Sequence, residues 1–146
     1  MTRYDKYKSS GIEWLGDIPE HWEVKRVKDI FKINPGFKIK NLDKETEVSF
    51  TPMECLRCGQ IEKRTIDYAT ALSYVPFKNN DILMAKVTPC FENGNIAIAN
   101  DLEKGIGFGS SEIYVIRCDD RYINRKLAFY VLQSNYFRSI GISSMK

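Results

Sequence analysis

His21 is the only histidine among these 146 residues. A nucleophile–base–orienter triad has only that ring to draw on, and its setting after Pro19-Glu20 points to ring packing or a turn cap. The chain also lacks a G-x-S-x-G elbow, a phosphate-cradling G-x-x-x-x-G-K-[ST] loop and an H-E-x-x-H pair. Its one Asn-Pro, Asn34-Pro35, runs into Gly36, so the N-P-P-[FYW] signature of an amino-methyltransferase is missing. Gly105-x-Gly107-x-Gly109 precedes a strand instead of opening a helix, the wrong context for a dinucleotide loop, and it reads as a turn. The expectation is a protein that catalyses nothing and holds no cofactor.

Long apolar runs are missing too. None approaches the ~20 residues needed to span a bilayer, and Met1-Thr2-Arg3-Tyr4-Asp5 has no hydrophobic core of a secretory signal. A cytoplasmic protein without membrane contact is expected. Cysteine is scarce and poorly paired: Cys55 and Cys58 form one C-x-x-C, while Cys90 and Cys118 stand apart. Structural zinc wants four N or S donors, which would have to be these four. Without a second close pair, four reduced cysteines and no metal are expected.

What is present is globular. Apolar residues make up 43% of the chain against nine glycines and five prolines, a composition able to bury a core. The net charge of +3 is modest but unevenly spread. From residue 121 onward there are five basic residues (Arg121, Arg125, Lys126, Arg138, Lys146) and no acid, so the preceding 120 residues carry a net −2. Such asymmetry suits one face turned to a polyanion, and equally a solvated helix face.

Along the chain, residues 1–22 are aromatic and irregular, with Gly16 and Pro19 opposing a continuous helix. They read as a leader that packs Trp14 and Trp22 onto a domain spanning 23–146. Val24, Val27, Ile30, Phe31 and Ile33 mix two periods and suggest a short strand followed by a helical turn, closed by Asn34-Pro35-Gly36. Val48-Ser49-Phe50 reads as a strand, and Ile61, Thr65, Ile66 and Tyr68 as another beyond Gly59. Asp81–Val87, Asn95–Ala99 and Glu112–Cys118 are three further strands, joined by polar loops and the Gly105–Gly109 turn. Asn124–Gln133 then shifts to a helical period, capped by Asp119 or Asn124, and Tyr136, Phe137 and Ile140 add a helical turn stopped by Gly141. The expected fold is α+β: one domain, a mixed or mostly antiparallel sheet and flanking helices.

The segment Lys86-Val87-Thr88-Pro89-Cys90-Phe91-Glu92-Asn93-Gly94 follows one of these strands. Lysine neutralises phosphate, hydroxyl and amide groups bond phosphates or base edges, and Phe91 would pack on a sugar or a thymine methyl. The alternative is a hairpin in which Asn93-Gly94 makes the turn and Phe91 enters the core.

Tyr7-Lys8-Ser9-Ser10-Gly11-Ile12-Glu13-Trp14-Leu15-Gly16-Asp17-Ile18-Pro19-Glu20-His21-Trp22 resembles the opening of many DNA specificity subunits of type I restriction–modification systems. Asp81–Gly94 is similar to a strand and loop of that family, and Gly107-Phe108-Gly109-Ser110-Ser111-Glu112 and Tyr136-Phe137-Arg138 match later landmarks in the same order. The resemblance implies one target-recognition domain reading half of a bipartite double-stranded DNA site. It further implies separate methyltransferase (M) subunits that bind S-adenosylmethionine and restriction (R) subunits that translocate and cut. The family's long spacer helix is missing before Lys146, so a fragment, a truncated product or an engineered domain is expected.

Such a domain needs phosphate contacts for position, with Lys86, Lys104, Arg138 and Lys146 as candidates. Base contacts are expected from the Lys38–Arg64 stretch (Lys38, Lys40 and Arg64 among them), from Thr88 and Asn93, and from Ser110 and Ser111, where neighbouring glycines admit a close backbone approach. The rival reading is a protein-docking module for the M subunits, using Trp14, Trp22, Tyr130 and Phe137 as an exposed patch.

Overall fold

The computed structural model describes residues 3–145. In chain order the strands are β1 (Tyr7–Ser9), β2 (Asp17–Pro19), β3 (Phe31–Ile33), β4 (Glu47–Thr51), β5 (Leu56–Arg57), β6 (Gln60–Ile61), β7 (Thr65–Asp67), β8 (Val75–Lys78), β9 (Ile82–Ala85), β10 (Ile96–Ile98), β11 (Ile106–Gly109) and β12 (Ile113–Cys118). The helices are α1 (Val27–Ile30), α2 (Tyr68–Ala71), α3 (Arg125–Gln133) and α4 (Asn135–Met145). The architecture is therefore α+β, as expected. Among the described residues no helix is long and apolar enough to cross a membrane.

Two compact units divide the chain, Met1–Ile30 and Phe31–Lys146. In the first, β1 and β2 form an antiparallel hairpin with Lys8 opposite Ile18. The intervening turn uses Gly11 and Gly16 at positive φ, where a side chain would be strained. Tyr4 packs its ring against Tyr7, His21 and Trp22, which puts the lone imidazole in an aromatic cluster. The order of elements near residue 30 is the reverse of the expected one: the helical turn α1 comes first and strand β3 follows it.

In the second unit, β10-β9-β12-β3 form an antiparallel sheet. The second sheet, β7-β4-β11-β8, is mixed, because β11 runs parallel to β4 but antiparallel to β8, while β4 and β7 are antiparallel. All four residues of β9 are buried, which is why Ile82-Leu83-Met84-Ala85 reads as an unbroken apolar run. Leu83 and Ala85 of β9 join Leu56, Phe77, Ala97, Ile113 and Val115 in the main core. Ala128 and Leu132 of α3, one helical turn apart, are buried as well, and α3 packs on β10. Asn124 caps α3 by accepting from the Lys126 N–H at 2.9 Å, so the choice left between Asp119 and Asn124 resolves to Asn124.

Three expectations need correction. Residues 106–109 are an inner strand, not a turn: Gly107 pairs with Phe77, and a Cβ on Gly107 would stand 2.5 Å from that ring. The glycine is there because an aromatic ring occupies the side-chain position. Helix α4 does not stop at Gly141 but passes through it to Met145. Finally, Ile61 to Tyr68 is not one strand: it splits into β6 and β7, and Tyr68 opens α2, capped by Asp67 accepting from the Thr70 N–H.

Candidate nucleic-acid interface

Hydrogen bonds at the ends of the strands locate the candidate residues. Ile113 of β12 pairs with Ala85 of β9, and the Lys86 N–H donates to the Glu112 carbonyl at 2.8 Å. The 86–94 loop and the turn holding Ser110 and Ser111 therefore leave the sheet at one end. Ser110 donates its N–H to the Thr51 carbonyl at 3.2 Å, and its hydroxyl accepts from the Glu112 N–H at 3.2 Å. Phe50 in turn donates to the Arg64 carbonyl at 2.8 Å, bringing Arg64 to the same end. Thus Arg64, Lys86, Thr88, Asn93, Ser110 and Ser111 share one edge of the unit, and all but half-buried Ser110 are exposed.

The local charges are not equivalent. The Arg64 guanidinium is shared by Glu54 at 3.1 Å and Glu62 at 3.9 Å, which cancels much of its field. Lys86 reaches over the Tyr114 ring at 5.4 Å and projects its ammonium beside an aromatic face. Tyr114 was not among the expected site residues; its place beside Lys86 follows only from the β9–β12 register.

The loop itself is tightly wound. Phe91 donates to Val87 (2.9 Å), Asn93 to Pro89 (2.9 Å), Gly94 to Phe91 (3.0 Å) and Asn95 to Cys90 (3.1 Å). Phe91 is 6% exposed, packed near Phe137 with ring centroids 6.5 Å apart. It is a core side chain and cannot reach a sugar or a thymine methyl, so the hairpin-and-core alternative holds for this residue.

Other candidates lie elsewhere. Lys104 sits in the 3-10 turn before β11, where Asn79 donates to the Gly105 carbonyl, on the side from which β9 starts. Lys38 and Lys40 flank Ile39, which packs on Val48, Ala71 and Phe108. Their segment is tethered through Gly36, whose carbonyl accepts from Arg117 at 3.4 Å. Arg138 is half-buried on α4 and donates to the Asn135 side chain at 2.9 Å. Lys146 lies outside the described residues.

The basic tail is partly neutralised by acids just upstream. Arg121 forms a bidentate pair with Asp119, with Nη2 at 2.6 Å and Nε at 2.9 Å, and Arg125 pairs with Asp120 at 3.5 Å. The Arg121 hydrogen bonds hold the Asp119 carboxyl at about 2, and the same contact raises the pKa of Arg121. Burial, then the charges of Asp120 and Asp81, push the Cys118 thiol up to about 11. Burial likewise raises Cys55, so both sulfurs stay protonated at neutral pH. Among the described residues no three His, Cys, Asp or Glu side chains converge on one point.

No family model matches the chain. It is 32% identical over 142 positions to the type I restriction enzyme EcoEI specificity subunit of Escherichia coli, covering 88% of this chain and 22% of that protein. It is 38% identical over 135 positions to the EcoAI specificity subunit of the same organism, with the same two coverages. A third relative, the MjaVIII specificity subunit of Methanocaldococcus jannaschii, is 26% identical over 145 positions, 91% of this chain and 33% of that protein. The chain thus spans between about a fifth and a third of the length of the curated relatives it matches. Over nearly nine-tenths of its own length, this chain is homologous to one segment of the specificity subunits of type I restriction enzymes.

Proposed function

We propose that this chain is a sequence-reading module for double-stranded DNA, recognising one half-site for a type I restriction–modification enzyme and catalysing nothing itself. The observation that carries this reading is the likeness to named specificity subunits across 88–91% of the chain. In this role it directs separate M and R subunits and acts in the cytoplasm, where the DNA is.

The edge that holds Lys86, Thr88, Asn93, Ser110 and Ser111 suits that task. Lys86 supplies a phosphate contact, while the hydroxyls and the Asn93 amide offer donors and acceptors to base edges. Lys38, Lys40 and Lys104 start from other surfaces and would extend the footprint only along a longer duplex.

Fluorescence anisotropy with pooled random-sequence duplexes tests the reading. A single module buries only about 600–1,000 Å², so weak binding is expected, steepening as salt is lowered. Binding that is absent at low ionic strength, or indifferent to salt, would refute it.

One observation favours a second reading, a docking surface for M subunits. Leu127, Tyr130 and Val131 are exposed along α3, with Tyr130 at 65%. Phe137 does not belong to such a patch, being half-buried beside Phe91. Co-purification with M subunits in the absence of DNA, abolished by Tyr130→Asp, would support this role.

A further inference from the structure

We propose that helix α4 is the positioning element of the 86–94 loop, acting through Gly141 and Arg138. The role of the loop in DNA recognition rests on the reading above, whereas the mechanical link between helix and loop stands on contacts alone.

Gly141 lies inside α4, where glycine is the poorest helix former after proline. A Cβ there would stand 2.5 Å from Phe91 Cε1 and would overlap the ring tip. The helix therefore gives up a side chain at the one place where the loop's aromatic residue enters. Three residues earlier, Arg138 lies across Gly94, and a Cβ on Gly94 would fall 2.7 Å from Arg138 Nη1. Gly94 also has φ +71°, a conformation that resists a side chain on its own account. Between these contacts, Met84, Phe91, Gly94, Leu132 and Arg138 line a gap of only about 10 Å³. That is about the space of one water, so helix and loop pack closely there.

The loop's hydrogen bonds are arranged around the same residue. The Phe91 N–H donates to the Val87 carbonyl, the Phe91 carbonyl accepts from the Gly94 N–H, and the Asn95 N–H donates to the Cys90 carbonyl. Seating Phe91 against α4 therefore fixes the turn that presents Thr88 and Asn93. Arg138 acts here as a brace: one terminal nitrogen lies against Gly94 and the other donates to Asn135 at 2.9 Å. This assigns it a positioning role in place of a phosphate contact.

Amide hydrogen exchange on the full chain reads the link without DNA. Gly141→Ala is expected to speed exchange at Phe91, Asn93, Gly94 and Asn95 by about tenfold, leaving the Val48 and Phe108 amides unchanged. Adding Phe91→Leu, which makes room for the new methyl, should bring those rates back to the Phe91→Leu level. An unchanged loop, a uniform rise across both sheets, or a double variant that is not rescued would overturn the proposal.

If Gly141→Ala does not fold, Arg138→Ala decides. It should speed exchange at Gly94 and Asn95, and no local change there overturns the brace. Against pooled random-sequence duplexes, Arg138→Ala should weaken binding without changing its salt dependence, because Lys86 remains anchored at Glu112. A plot of log K against log salt that is shallower by about 0.9 would make Arg138 a phosphate contact and refute its positioning role. Should the wild-type chain fail to bind any duplex, the DNA reading falls while the exchange result still settles the helix–loop link.

Discussion

Asp81 and Lys86 flank strand β9 at opposite ends, in contrasting surroundings. Asp81 is 1% exposed, and its two oxygens accept from Arg117 at 2.8 and 2.7 Å. The Lys78 N–H adds a third bond at 2.9 Å, and Phe37 lies 5.6 Å under the guanidinium. At the other end Lys86 is exposed, with only its backbone held by Glu112 and its ammonium near the Tyr114 ring. A carboxylate with its partners in place and no solvent is a building element. An ammonium delivered by the same rigid strand into solvent is free to meet a polyanion. One strand thus ties the scaffold at its start and leaves an ammonium exposed at its finish.

The sharpest way to break this contrast is Asp81→Ala. It strands an Arg117 side chain that is only 20% exposed, and removing one partner of a buried pair costs about 3–5 kcal/mol. Urea denaturation should show a lower midpoint with the slope preserved. A loss below about 1 kcal/mol would place the pair among ordinary surface ion pairs and erase the difference between the two ends.

Lys86→Ala should do the reverse. Stability is expected to stay within about 0.5 kcal/mol of the parent, since only an exposed cation–π contact is lost. Binding to pooled duplexes should weaken, with the salt dependence shallower by about 0.9 in log–log slope. A stability loss as large as that of Asp81→Ala, with no change in salt dependence, would make Lys86 a structural residue too.

The same contrast explains what could be read from the amino-acid sequence. Strands β9, β10 and β12 and helix α3 are legible because their periodicity and the Asn124 cap are local signals. Strand β11 is hidden because the residue that completes Gly107 is Phe77, far off in sequence. Strand β8 is masked by Pro76, which is tolerated because β8 is the outer strand of its sheet. Gly141 has the local mark of a helix stop, yet it lies inside α4, where the distant Phe91 ring takes the place of a side chain. At the candidate site, the loop after β9 could be found from strand-and-turn grammar. The neutralisation of Arg64 by Glu54 and Glu62 could not, because a charge count along the chain does not see partners brought together by folding.

Asp119 and Arg121 occupy a middle ground between the two ends of β9, charged and near solvent yet mutually satisfied, and their titration gives the smallest predicted effect. The Arg121 hydrogen bonds hold the Asp119 carboxyl at about 2, below its ordinary 3.8. The folded protein therefore takes up this proton less readily than the unfolded chain. The resulting stabilisation is complete above the ordinary carboxylate range and fades as the pH falls from near 4 toward 2. Arg121→Ala should return Asp119 toward 3.8, as read by NMR of the side-chain carboxyl carbon, and should flatten that acid limb. Because Arg121 is engaged with Asp119 instead of a phosphate, the same variant should leave the salt dependence of DNA binding as it was. A slope shallower by about 0.9 would instead mean that Arg121 leaves Asp119 for a phosphate, and that a neutralised cation, like an exposed one, can serve as a contact.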